Sequence, residues 1–219
     1  MKKKHLAGLA FGLFLFGMIG ITNAAIIFSN YGDGDTHSTT GGWSALYNVQ
    51  PPYYPTETDW DVAMTFTPTD NYYLDTIEIT VGLIVGDNQL DVWLMTSSNN
   101  MPDKIIETFH LSDSMDVHTW DHHDPIIIDS FSNPILNADT PYWLVISTPT
   151  EGTAVVWYKN SVGQIGPRAI WDGYSWSIAN NITPSVFRVN GSPVPLPGAI
   201  WMLGSGLAGF AGLRRKMKK

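Results

Sequence analysis

Apolar positions recur with a period of two through the middle of this chain. Ile77, Ile79 and Val81 alternate with Glu78 and Thr80, and Leu90, Val92 and Leu94 alternate with Asp91 and Trp93. Successive side chains of a strand point to opposite faces, so this spacing predicts half-buried β-strands. Gly86-Asp87-Asn88 lies between the two runs and reads as a hairpin turn. Residues 105–111 alternate more loosely. Short apolar runs at 126–128, 142–147, 154–158, 169–171, 176–178 and 186–189 have strand length, with Gly, Pro and Asn between them. No segment of ten or more residues in this stretch carries a helical stripe. Residues 25–72 are less regular, and Pro51-Pro52-Tyr53-Tyr54-Pro55 reads as a loop. Many short strands punctuated by turns predict an all-β fold, a single antiparallel β-sandwich of jelly-roll-like form.

The two ends follow a different pattern. Lys2, Lys3 and Lys4 precede an uncharged apolar run over 6–21, and Thr22-Asn23-Ala24 follows with small or polar residues. That order is that of a secretory signal peptide, expected to span 1–24. The run is shorter than the roughly 20 residues of a bilayer span, which favours cleavage over a permanent anchor. At the other end, Val194-Pro195-Leu196-Pro197 precedes an uncharged apolar run over 198–213, closed by Arg214, Arg215, Lys216, Lys218 and Lys219. The prolines stop a helix from running back into the domain and keep the backbone extended, as a protease requires. The apolar run partitions into a bilayer. Arg214, Arg215 and Lys216 act as a membrane stop on the cytoplasmic side.

This tail resembles the PEP-CTERM sorting signal of Gram-negative bacteria in its Val-Pro-Leu-Pro-Gly-Ala form, with Leu196 where the name-giving motif has Glu. The resemblance implies an exosortase, a membrane cysteine protease or transpeptidase, as processing partner. It also implies a precursor held transiently in the inner membrane and a product at the cell surface or in the extracellular matrix.

Setting the ends aside leaves residues 25–193 as the expected domain. Eight of the 12 Lys and Arg lie in the ends, so this stretch keeps Lys104, Lys159, Arg168 and Arg188 against all 20 acids, a formal charge of −16. That argues against nucleic acid or anionic membrane surfaces as partners and is compatible with divalent cations or with a solvated face on an extracellular protein. There is no Cys, so an exported domain of this kind rests on its core or on bound metal.

Three blocks of the middle are Leu74-Asp75-Thr76-Ile77-Glu78-Ile79 running on to Gly82-Leu83, Pro141-Tyr142-Trp143-Leu144-Val145-Ile146-Ser147, and Phe187-Arg188-Val189-Asn190-Gly191. They resemble the choice-of-anchor group of bacterial surface domains, the R type most closely. That resemblance implies a surface domain with an interchangeable C-terminal anchor and carries no catalytic residues.

Candidate chemistry is sparse. Asp33 and Asp35 stand one residue apart in a Gly-rich turn, a donor pattern that Ca²⁺ accepts, though the spacing is not that of an EF-hand. His118, His122 and His123 with Asp121 and Asp124 could suit a transition metal, but no helix frames them, and a hairpin or edge loop ahead of the Pro125 strand is the expectation. Trp171, Tyr174 and Trp176 surround an expected turn with Asp172 and Gly173, the makings of a platform on which a sugar could stack, or of ordinary hairpin packing. No nucleophile elbow, phosphate loop or zinc-protease motif occurs. The expectation is therefore a non-catalytic protein of the cell surface or exopolysaccharide matrix, with carbohydrate binding as its candidate role. The alternative is a secreted hydrolase acting on matrix polysaccharide.

Overall fold

The computed structural model describes residues 24–49 and 59–195. The signal segment, the 51–55 loop and the tail from Leu196 onward lie outside these residues. Among those described there are fifteen strands and one short 3-10 turn, Asp33–Asp35. The strands are β1 Ala25–Ser29, β2 Gly42–Tyr47, β3 Asp59–Phe66, β4 Tyr72–Ile79 and β5 Val81–Val85. Next come β6 Gln89–Ser98, β7 Met101–Ser112, β8 Asp116–Val117, β9 Ile126–Asp129 and β10 Ile135–Leu136. The last are β11 Tyr142–Ser147, β12 Thr153–Tyr158, β13 Gly166–Trp171, β14 Trp176–Ile182 and β15 Phe187–Pro193.

They form a β-sandwich. The smaller sheet runs β1-β15-β4-β10, with β9 also on β4. The larger runs β7-β6-β11-β3-β2-β12-β5-β8, with β13 on β3 and β14 on β13. Every pairing is antiparallel except β5 with β8. There a two-residue strand runs alongside β5, and His118 N donates to Leu83 O at 2.7 Å. The predicted alternation holds at the interface. Ile77 pairs with Val189 and Ile79 with Phe187, and these four side chains share one core with Val62, Met64, Leu90, Val92, Leu94 and Leu144 of the facing sheet. Each fully buried aliphatic or aromatic side chain there contributes about 1.5–3 kcal/mol.

The hairpin expected around Gly86-Asp87-Asn88 does not form. β5 pairs with β12 and β8, while β6 pairs with β7 and β11, so the segment is an arch across the sheet. The reason is local. Gly86 has φ 93°, and a Cβ there would stand 2.6 Å from Gly152 O, so the chain passes tightly over the turn that precedes β12. Asn88 then binds Met115 rather than closing a turn, its Nδ2 donating to Met115 O at 2.7 Å and its Oδ1 accepting from Met115 N at 3.1 Å.

The larger sheet is covered on both faces, which explains the strands that do not alternate. The β13–β14 hairpin lies against its outer face, where Trp176 and Ile178 pack on Ala63, Met95, Trp143 and Val145. β11 is consequently buried almost throughout, and β12 is buried too, by Tyr31 and Val186 against Val156 and Tyr158 and by Leu46 and Val49 against Ala154. Trp93, on the nominally polar face of β6, is half-buried in the same outer cluster.

Candidate functional site

β3 exchanges its neighbour partway along, and a groove opens as a result. At Asp59 and Trp60 it pairs with Tyr47 and Leu46 of β2; at Asp61 to Met64 it pairs with Trp171 to Arg168 of β13. The loop ends of both neighbours therefore come together around the start of β3. An open cleft of about 400 Å³ forms there, lined by Tyr47, Asn48, Asp59, Trp60, Asp172 and Tyr174.

One wall is the β13–β14 turn. Asp172 Oδ1 accepts from Tyr174 N at 3.0 Å and from Ser175 N at 2.8 Å, and Gly173 takes φ 88°, a conformation that other residues adopt only with strain. The amides of Ser175 and Tyr174 hold the Asp172 carboxyl below its ordinary pKa. The turn carries Tyr174 outward, 90% exposed, at the cleft. Trp171 and Trp176 face each other across the hairpin, ring centroids 5.6 Å apart at 56°. Of the three aromatics singled out by the sequence, Tyr174 alone lines the cleft. Trp176 packs into the outer-face cluster, and Trp171 packs on Trp176.

The opposite wall was not legible as a site. Tyr47 is partly exposed, and the half-buried Trp60 forms the floor. Burial raises the Asp59 carboxyl above its ordinary pKa. Asp59 Oδ2 lies 3.9 Å from the position a Gly173 side chain would occupy, so Asp59 and the Asp172 turn are close neighbours. Asn48 donates through Nδ2 to Glu151 Oε1. Next along β3, Asp61 is buried. Its pKa is pushed up to about 6 by desolvation and then by the charges of Asp59 and Asp91, against a hydrogen bond from Ser147.

The other candidates take different places. Asp33 and Asp35 sit in the 3-10 turn, and Asp35 is ion-paired with Arg188, whose Nη1 also donates to Glu78 at 2.8 Å. Desolvation draws the Arg188 pKa down, but the Asp35 hydrogen bond and the Glu78 charge outweigh it and leave it raised.

The histidines form a ring cluster over Tyr158, joined by His37 from the β1–β2 connection. His37 stacks on His122 at 5.3 Å between centroids, and His123 stacks on Tyr158 at 5.0 Å. His118 Nδ1 lies 2.8 Å from the Tyr158 hydroxyl, which donates to Thr119 O at 2.7 Å. The segment is the expected loop. Among the described residues no group of three or more His, Asp or Glu is placed to hold a metal ion. His37 is buried, and neither of its ring nitrogens makes a hydrogen bond of normal geometry. Desolvation, then the charges of His122 and His123, lower its pKa to about 4, opposed by the Asp121 backbone.

The last strand leads to the tail. Pro193 still pairs with Tyr72, and Val194 N donates to Asn71 O at 3.0 Å. No curated protein and no solved structure matches this chain. Residues 193–216 match the PEP-CTERM protein-sorting motif, which marks the chain as an exported surface protein with a membrane-anchored precursor that an exosortase processes.

Proposed function

We propose that this is a protein of the cell surface or its exopolysaccharide matrix whose sandwich is a non-catalytic saccharide-binding domain. In this reading the domain is of the choice-of-anchor kind on the sequence resemblance alone, whose blocks fall in β4, β5, β11 and β15. The observation that carries the binding reading is the cleft itself. Three aromatic side chains, Tyr47, Trp60 and Tyr174, stand beside the polar groups of Asn48, Asp59 and Asp172. Apolar ring faces next to a few convergent acceptors and donors are what a sugar needs. The test is retention on immobilised polysaccharide. Tyr174→Ala should lose most of the retention of the wild type, and full retention by this variant would remove the cleft from consideration.

A hydrolase acting on matrix polysaccharide is the second reading, favoured by one observation. Asp59 and Asp172 face the same cleft with their pKa values pushed apart, Asp59 up by burial and Asp172 down by amide hydrogen bonds. Paired carboxylates in unlike environments are the usual means of glycoside hydrolysis. New reducing ends released by wild type but not by Asp59→Asn would establish it.

A further inference from the structure

The cleft continues into a second, chemically different hollow. Where β13 has replaced β2 beside β3, a wedge of about 210 Å³ opens between Trp43 and Ser44 on one side and Arg168 and Ile170 on the other, over Val62. It shares Trp60 with the aromatic cleft. At its far side the Lys159 Nζ stands 4.1 Å from the Trp43 ring centroid. Lys159 also lines a wider polar basin of about 610 Å³ rimmed by Ser38, Thr39, Thr40 and Ser161. Following β2, the acidic aromatic cleft and the wedge share Trp60, and the Lys159–Trp43 contact links the wedge to the hydroxyl-lined basin.

Two cations meet on one indole. The Arg168 guanidinium carbon stands 3.6 Å from the Trp43 ring centroid, and the Lys159 Nζ contacts the same side chain at 4.1 Å. Neither meets a carboxylate, because the ion pairs among the described residues use His110, His122, His123 and Arg188. Arg168 Nε is buried and makes no hydrogen bond. In residues 25–193 four basic side chains face 20 acids, so two of the four on a single Trp, with no ion pair among the described residues, is a marked concentration. A guanidinium held over an indole face is restrained in advance and can offer its N–H donors to a planar or tetrahedral anion. Such a fork prefers two parallel bonds to carboxylate or sulfate oxygens.

We propose that this groove binds an acidic glycan, a polysaccharide carrying carboxylate or sulfate groups, with a sugar ring against Tyr174 and Trp60 and an anionic substituent on Arg168 and Lys159. The inference rests on the saccharide reading of the cleft and adds the ligand class. The acidic surroundings of the groove also select the kind of anion. A dense polyanion such as nucleic acid would be repelled by the domain, whereas sparsely charged sugar units can place one anion on the two cations.

The test is affinity electrophoresis of the purified full-length protein in gels containing polygalacturonate, a sulfated galactan or neutral dextran. The wild type should be retarded by one or both acidic polymers at concentrations at least tenfold below those needed with dextran. Arg168→Gln with Lys159→Gln should erase that tenfold preference. Lys159→Gln alone, at a half-buried position whose side chain makes no hydrogen bond among the described residues, should weaken it and covers the case in which the double variant fails to fold. Retardation by dextran as strong as by the acidic polymers, or an undiminished preference in Lys159→Gln and in a folded double variant, overturns the proposal and leaves the saccharide reading standing. No retardation by any polymer overturns both.

Discussion

Asp35, in the short turn after β1, gives its carboxylate to the Arg188 guanidinium on β15. The contact joins residues 153 positions apart and ties the first connection to the middle of the smaller sheet. It also engages the Asp35 carboxylate, which a cation in the Asp33–Asp35 turn would have to share with the guanidinium or draw away from it. Arg188 keeps Glu78 when Asp35 is removed, and Asp35 is partly exposed. Asp35→Ala should therefore cost only about 1 kcal/mol. Thermal melts with and without millimolar Ca²⁺ check this. A loss of that size, equal in both conditions, is expected; a Ca²⁺-dependent rise of the wild type that Asp35→Ala abolishes would assign the turn to metal instead.

The three aromatics of the β13–β14 hairpin should separate cleanly by mutation. Tyr174 is almost fully exposed, so Tyr174→Ala should change stability by no more than about 0.5 kcal/mol. Trp176 packs on Ala63, Met95, Trp143 and Val145 and on Trp171. Its truncation should cost about 2–3 kcal/mol, below the usual range for a fully buried aromatic because the ring is only half-buried. Urea unfolding of both variants distinguishes them. Similar losses would mean that Tyr174 also packs.

How far the sequence can be read follows from how each strand is buried. β4, β6 and β15 alternate because one face meets the sandwich core, and the alternation is visible as a period of two. β3 is buried on both faces for most of its length, so Asp-Trp-Asp-Val-Ala-Met-Thr-Phe shows no alternation and the region reads as irregular. The turn residues Gly86-Asp87-Asn88 mark a reversal but cannot name the partner strands, since pairing depends on contacts such as Gly86 against Gly152. The same limit applies to the groove. Asp172 and Tyr174 are visible as an aromatic turn, being part of six residues of continuous chain. Tyr47, Trp60, Trp43, Arg168 and Lys159 come from β2, β3, β13 and the end of β12, and only long-range pairing brings them together.

The sorting motif gives a prediction independent of the groove. Val194 leaves the smaller sheet beside Asn71, so Val194-Pro195-Leu196-Pro197 follows directly on folded structure and the cleavage machinery must work close to it. Mature protein from the native envelope or medium should lack the residues beyond this motif, by intact-mass measurement. Replacing Pro195 and Pro197 by Ala should leave uncleaved precursor in the membrane fraction. Mature protein that retains Lys219 would argue for a simple tail anchor.

Asp61 and His37 should make the stability of the domain respond to pH in opposite senses. Asp61 has its pKa raised to about 6 in the fold from an ordinary 3.8, so between these values the folded state binds more protons than the unfolded chain. Stability from this group is present below about pH 4 and is lost as pH rises through 6. His37 has its pKa lowered to about 4 from 6.5, so over nearly the same window the unfolded chain binds more protons. Its contribution is present above pH 6.5 and is lost as pH falls toward 4. The two slopes oppose each other, and the wild type should show a shallow profile between pH 4 and 6.5. Asp61→Asn removes one side of the balance and should leave a protein that weakens steadily on acidification. His37→Gln removes the other and should weaken on alkalinisation by something of the order of 2 kcal/mol across the Asp61 window. Urea midpoints at pH 4, 5, 6 and 7 for the three proteins measure this. Parallel profiles for wild type and Asp61→Asn would mean that Asp61 titrates at its ordinary value and is reached by solvent.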